Sequence, residues 1–188
     1  MREQHMDLIR RSQAGDNKAF TELFHQYKNL VYKTAYLMLG NAADAEDALQ
    51  EVFVQVYRSL STFQPAKGAF TTWLHRITVN HCLNRRRKHR LPILALDEAP
   101  PTSLAIRSPE ARLAEDDAIQ QALGRLSEKQ RAVVILRYYW DLSYAEIAQI
   151  LDIPVGTVKS RLNLALRSLR QELERMEGDT PALAPLRS

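Results

Sequence analysis

The chain is short of the residues on which most covalent and cofactor chemistry depends. Its single cysteine, Cys82, excludes an internal disulfide and any thiolate zinc site assembled within the chain. Glycine is scarce, six in 188 residues, and no phosphate-cradling glycine loop, HExxH pair or acid-rich metal loop occurs. No apolar run approaches the ~18–20 residues of a membrane span. The mean hydropathy of -0.35 agrees, so no membrane insertion is expected. Met1 to Asp16 is polar or charged at most positions and lacks the apolar stretch of a signal peptide. Strand-type alternation and internal repeats are also missing. These absences exclude a small secreted scaffold and an integral membrane protein. They lead to the expectation of a cytoplasmic protein without metal or cofactor.

What is present is charge, unevenly placed. Lys and Arg number 26 against 22 Asp and Glu, a net of +4. Residues 1–90 carry +6, residues 91–117 carry -4 and residues 118–188 carry +2. The run 85–90 (RRRKHR) has five basic residues and no acid, and 154–170 has Lys159, Arg161, Arg167 and Arg170 without an acid. Two basic clusters flanking an acidic, proline-containing middle suit two contacts on one polyanion, with a tether that does not adhere to it. Solvated surface is the plainer reading of such runs, and charge alone leaves both open.

Helical periodicity dominates the apolar pattern. Asp16 is placed to cap a helix carrying Phe20, Leu23, Phe24, Tyr27, Val31, Ala35 and Leu39, with Gly40 and Asn41 at its end. Residues 44–60 and 71–88 form two more helical runs, separated by the polar stretch 61–68 with Pro65 and Gly68. Residues 91–108 lose the period and contain three prolines, which predicts a linker. Ser108-Pro109 reads as an N-cap with a first-turn proline. Ser127 with Gln130, and Ser143 with Glu146, each match a capping box. Residues 178–188 read as a frayed tail. The expected fold is all-α: two small helical domains, 1–90 and 109–177, joined by a flexible linker. Each is near the size at which a lone core is marginal.

Residues 143–151, the turn at Asp152-Ile153 and residues 154–170 have the spacing of a helix-turn-helix. Val158, Leu162, Ala165, Leu169 and Leu173 form the inward stripe of the second helix. That leaves Thr157, Lys159, Ser160, Arg161 and Asn163 outward as donors for phosphates and base edges. Asp152 departs from the glycine common in such turns.

Two longer stretches are more specific. DAEDALQEVFVQVYRSLSTF at 44–63 and FTTWLHRITVNHCLNRRRK at 70–88 resemble the second domain of bacterial sigma factors, most closely the small extracytoplasmic-function (ECF) class. LSEKQRAVVILRYYWDLSYAEIAQILDIPVGTVKSRL at 126–162 is similar to the fourth domain of the same class, and the two occur in the family's order. The resemblance implies a non-catalytic subunit that binds core RNA polymerase and directs promoter recognition, DNA melting and transcription initiation. The upstream promoter element would be read as duplex and the downstream element as single strand.

For the downstream element, the resemblance implicates Phe63 in the base-capturing loop 61–69. Phe70 and Trp73 would serve as stacking faces, Asn80 and Asn84 would meet base edges, and Arg76, Arg85 and Arg86 would hold the backbone. Upstream recognition would rest on the outward residues of the helix-turn-helix. Relatives frequently carry arginine at positions 164 and 166, where this chain has leucine. Asp47, Gln50, Glu51 and Phe53 would contact the clamp of the polymerase large subunit, and an apolar groove near Val133, Leu136 and Tyr138 would receive its flap. An anti-sigma factor is a further partner common in the family, and an obligate homo-oligomer is not expected.

Residue chemistry permits other readings. Phe70 and Trp73 also suit a core. Asp44, Asp47 and Glu51 share a helix face and could serve a metal-dependent nuclease, while a helix-turn-helix alone could belong to a dimeric regulator. No dimerisation heptad supports the regulator and no metal loop supports the nuclease. The paired resemblance favours the sigma reading over both.

Overall fold

The computed structural model describes residues 2–90 and 112–178, and every regular element among them is helical. The helices are α1 (Arg2–Gln13), α2 (Asn17–Leu39), α3 (Ala42–Ser59), α4 (Phe70–Arg90), α5 (Arg112–Gly124), α6 (Glu128–Val134), α7 (Tyr144–Leu151) and α8 (Val155–Gly178). None of the described helices is long and apolar enough to cross a membrane. The linker, the Ser108-Pro109 cap and the tail beyond Gly178 lie outside the described residues.

Local chemistry explains where the helices begin and stop. The Asp16 carboxylate accepts from the Lys18 and Ala19 amides. Gly40 closes α2 at φ 89, a conformation open to glycine because it has no Cβ. Asn41 caps α3 by accepting from the Asp44 amide. Both capping boxes form: Ser127 and Gln130 exchange bonds at the start of α6, and Ser143 and Glu146 do so at α7. The Ser143 bonds also hold the Glu146 carboxyl below its ordinary range. Asp152 is left-handed at φ 53, and its N–H donates to the Ala148 carbonyl, so the unusual turn residue occupies the C-cap position that glycine fits best. That conformation is strained for a residue with a Cβ, for Asp less than for most. Asp152→Gly is expected to stabilise the fold by about 0.5–1 kcal/mol, read as a raised midpoint in urea. The substitution also removes the ion pair between Asp152 and Arg76, but at 3.9 Å between exposed groups that pair contributes little. Periodicity did not foresee the π-helical turn Ile135–Tyr139, in which the Trp140 amide donates to the Ile135 carbonyl.

The helices form two domains whose cores are not independent. One cluster joins Leu23, Val31, Val52, Val56, Leu74 and Ile77 of α2–α4. The other joins Ala35, Met38, Ala45, Val79 and Cys82 of the first domain to Val133, Leu136, Ile147, Ile150, Val158 and Leu162 of the second. Two domains too small to be well buried alone thus cover each other. The seam is centred on the C-terminal end of α2, where the dipole is negative and the last carbonyls run out of intrahelical partners, the Tyr36 carbonyl taking the Gly40 amide of the cap. Arg86 and Arg131 both donate to the Met38 carbonyl, at 2.8 and 2.9 Å, and Gln120 donates to the Tyr36 carbonyl. Beside them the Trp140 Nε1–H donates to the Thr34 hydroxyl at 3.0 Å, and the indole meets His75 edge-on at 5.1 Å.

Candidate nucleic-acid interface

The second domain presents its basic helix on a rigid support. Ile147 and Ile150 of α7 are fully buried, as are Val158 and Ala165 of α8, with Leu162 nearly so. This inward stripe fixes which side of α8 faces out. Lys159, Ser160 and Asn163 are exposed, while Thr157 and Arg161 are half-buried. Lys159 lies over the Tyr144 ring at 5.8 Å, with Arg137 on the same ring at 5.4 Å. The five residues expected to meet duplex DNA therefore fall on one helix whose first turns are free of acid. That arrangement can bind phosphate and present donors to base edges.

In the first domain the structure separates residues that the sequence pattern groups together. Phe63 and Phe70 are each 5% exposed and pack edge-on at 5.3 Å, with Trp73 half-buried against both. Faces so buried are core faces, and in this conformation neither phenylalanine offers a platform to an unstacked base. The signal was ambiguous because an aromatic at helical spacing suits a core as well as a nucleic acid. The loop itself is held by Gln13, whose amide donates to the Leu60 and Phe63 carbonyls, and its residues 64–69 are exposed. Asn80 and Asn84 are exposed four residues apart on α4, with Arg76, Arg87 and Lys88 at least partly exposed.

Arg85 and Arg86 are already engaged. The Arg85 guanidinium lies 2.6 Å from Asp44, 3.1 Å from Asp47 and 3.7 Å from Glu51. Arg86 donates to the Met38 carbonyl and lies 3.7 Å from Glu128. Their charges are largely balanced within the protein, so they add less to phosphate attraction than the count of basic residues suggested. His81 completes the acidic contact, 3.5 Å from Glu51, while burial lowers its pKa. Asp47, Glu51, Asn80, Asn84 and Lys88 line one polar cleft of about 600 Å³ between α3 and α4. The groups expected to serve polymerase and those expected to serve DNA are thus walls of the same cleft.

Phe53, expected on the polymerase-facing surface, is 7% exposed and packs on Phe24 at 4.7 Å. The exposed apolar groups of α3 are instead Val54 and Tyr57, beside Asp47, Gln50 and Glu51. A small difference in helical phase separates these outcomes, and periodicity is least decisive where apolar residues are consecutive, as at 52–54. Val133 and Leu136, expected to line a flap groove, are fully buried in the core shared by the two domains, while Tyr138 is 60% exposed. Cys82 is fully buried with its thiol pushed up to about 12 by burial, the condition of an inert packing residue. Among the described residues no group of three His, Cys, Asp or Glu is arranged to hold a metal ion.

Sequence reasoning missed the residues that join the domains: Thr34, His75, Arg131 and Trp140. Arg131 is 3% exposed, and burial together with nearby Arg86 lowers its pKa to about 10. No local pattern marks such a residue, because its partner carbonyl lies 93 positions away.

Comparison with known proteins matches the same two regions. Residues 23–91 match the family model of Sigma-70 region 2, and residues 116–169 match that of Sigma-70, region 4. The ECF RNA polymerase sigma factor SigW of Bacillus subtilis is 37% identical over 178 residues, covering 88% of this chain and 94% of its own. The ECF RNA polymerase sigma factor SigE of Mycolicibacterium smegmatis is 39% identical, covering 88% of this chain and 67% of its own. In fold, the chain is similar to the sigma factor RpoE from Bartonella quintana, solved in complex with the anti-sigma factor NepR. The TM-score is 0.69 at 24% identity, over 84% of this chain and 98% of that one.

Proposed function

The chain belongs to the sigma-70 family as an RNA polymerase sigma factor of the ECF class, and from that premise we propose how its residues divide the work. As a member of that class it directs promoter recognition and transcription initiation. Its role is to supply specificity to an enzyme whose chemistry resides in the core, and its place is the cytoplasm, where the polymerase works. Residues 1–90 bind core and engage the melted downstream element, 91–108 connect, 109–177 read the upstream duplex, and 178–188 form a tail.

The observation that carries this reading is the α7–α8 pair: a doubly bonded cap on α7, a buried seam and an outward basic face, in one chain with the exposed asparagines of α4. Thr157, Lys159, Ser160, Arg161 and Asn163 approach the upstream element. Asn80 and Asn84 offer paired donor and acceptor groups to unpaired bases, with Arg76, Arg87 and Lys88 on the backbone and Trp73 at the rim of the aromatic cluster. Phe63 and Phe70 shape the loop from beneath, and Arg85 and Arg86 position α4 through their carboxylate and carbonyl partners. Asp47, Gln50 and Glu51, joined by Val54 in place of Phe53, face the clamp of the large subunit. Tyr138 offers an exposed ring to the flap. An anti-sigma factor, of the kind bound by the solved relative, is a fitting regulator.

Run-off transcription with purified core polymerase tests the whole reading. Core-dependent initiation is the expected result, and its absence from every genomic promoter refutes it. Specific duplex binding by a dimer of the free protein would support the stand-alone regulator instead. Within the reading, the Asn80→Ala, Asn84→Ala double variant is expected to lower open-complex formation about tenfold, the scale of removing one bidentate base interaction. Core affinity is expected to hold within about twofold, since an Asn has little to offer a protein face rich in ion pairs. Because both asparagines border Asp47 and Glu51 in one cleft, core affinity must be measured alongside. An equal loss of both would assign the asparagines to docking.

A further inference from the structure

Leu164 and Leu166 stand out on α8, whose other solvent-exposed residues over its first four turns are mostly donors and cations. Leu164 is 52% exposed and Leu166 38% exposed, although the inward side of α8 is complete without them. Successive residues of a helix turn by about 100°, which puts Leu164 about 20° from Thr157 and 40° from Ser160 around the axis. Leu166 falls on the flank, beside Lys159. Leu164 therefore lies outward of the buried stripe, between the angular positions of Thr157 and Ser160, and continues the line that they and Arg161 begin. Its distance along the helix from Thr157 is about 10 Å at 1.5 Å per residue, close to three base-pair steps.

We propose that Leu164 is a specificity residue of this sigma factor, packing on the 5-methyl group of a thymine in the major groove of the upstream element. Duplex DNA offers one apolar group on its major-groove edge, the thymine methyl, and apolar side chains are its natural contact. The charge around Leu164 selects the same occupant. Residues 154–170 contain four cations and no acid, a surface matched to a polyanion. Arg167, exposed three positions on, and Arg161, three positions back, would hold phosphate or guanine on either side of the leucine. An arginine at this position would favour guanine through O6 and N7; leucine removes that preference and replaces it with a methyl contact. The preferred upstream element of this protein would accordingly carry thymine at the base pair Leu164 covers.

The inference rests on the reading of α7–α8 as the duplex-reading unit, and the test separates the two. Holoenzyme reconstituted with core is used to select upstream elements from a randomised pool. Each thymine of the selected element, on either strand, is then replaced singly by deoxyuridine, which deletes only the methyl. At one position the replacement is expected to weaken binding about fourfold, the worth of one buried methyl group. In Leu164→Ala holoenzyme that penalty should vanish at the same position, and in Leu164→Arg the selected base should shift from thymine towards guanine. A selected element without thymine overturns the proposal, as does a uracil penalty unchanged in Leu164→Ala. Loss of core-dependent promoter binding in the wild type overturns the duplex-reading assignment itself. Should Leu164→Ala bind every promoter as the wild type does and lose a protein partner instead, the leucine serves a protein contact and the proposal fails.

Discussion

Replacing Trp140 by alanine is expected to destabilise the protein by about 3 kcal/mol, the lower end of the range for a large aromatic in a core. It should also loosen the coupling between the two domains. The side chain is half-buried, so the full effect of a closed-in tryptophan does not apply. Its interactions nevertheless cross the seam. The indole N–H donates to Thr34 at 3.0 Å, and its ring meets His75 of α4 at 5.1 Å. Thr34 keeps its other bond, donating to the Leu30 carbonyl, so the effect comes mainly from packing and from one cross-domain hydrogen bond. Denaturation by urea should show a midpoint lower by more than about 1 M for an m-value of about 2 kcal/mol/M. Calorimetry should show the second domain melting ahead of the first. Trp73→Ala provides the contrast, since that ring packs within the first domain, on Phe63 and Phe70. It should lower stability while leaving the transition single. A Trp140→Ala protein with an unchanged midpoint would show that the seam does not depend on this ring.

Acidification should act on the same seam through His75. This imidazole is 2% exposed, and burial lowers its pKa from 6.5 to about 4. Its Nδ1 has no hydrogen-bond partner among the described residues, so nothing there favours the charged form. The unfolded chain takes up the proton near pH 6.5, while the folded chain resists until about pH 4. Between those values the unfolded state binds more protons, so stability is full above the window and falls with pH through it. At 1.36 kcal/mol per pH unit the loss approaches about 3 kcal/mol at pH 4. His81 has its pKa lowered by burial as well and adds a smaller slope of the same sign. The lowered carboxyls of Asp16 and Glu146 lose their stabilisation as pH falls past their ordinary values of 3.8 and 4.5, so they add to the decline only at the acid end of that window and below it. Urea midpoints measured from pH 7.5 down to about 4.5 should therefore decline in the wild type. His75→Phe, which keeps a ring against Trp140 without a titrating group, should retain only the shallower slope of His81. Equal slopes in the two proteins would place the acid sensitivity elsewhere.

Both effects arise where sequence reading was least informed. The all-α class, the boundaries near Asp16, Gly40, Ser127 and Ser143, and the helix-turn-helix were legible because their signals are local. A capping box spans four residues, and an amphipathic stripe repeats every turn. The outward set on α8 was legible for the same reason, since Val158, Leu162 and Ala165 define the inward side and leave the rest. Aromatic and basic residues near the first domain's cleft were less so. Phe53, Phe63 and Phe70 have the chemistry of exposed contacts, but each meets an aromatic partner from another turn or helix that covers it. Arg85 and Arg86 sit in a run of five basic residues, yet their partners, Asp44 and Met38, lie 41 and 48 positions away.

The sequence by itself determined most of the helices from Asn17 onward, the ends that carry caps, the two basic clusters and the family, since each rests on neighbours along the chain or on motifs read in order. By contrast α1, in a stretch polar or charged at most positions, carried no such signal. Tertiary structure alone decided which arginines remain free for nucleic acid, which aromatics are core, and that the two domains share one. The reason is physical: whether a charge is balanced or a ring covered depends on atoms brought close by packing, and packing joins Thr34 to Trp140 across 106 positions that carry no common local signal.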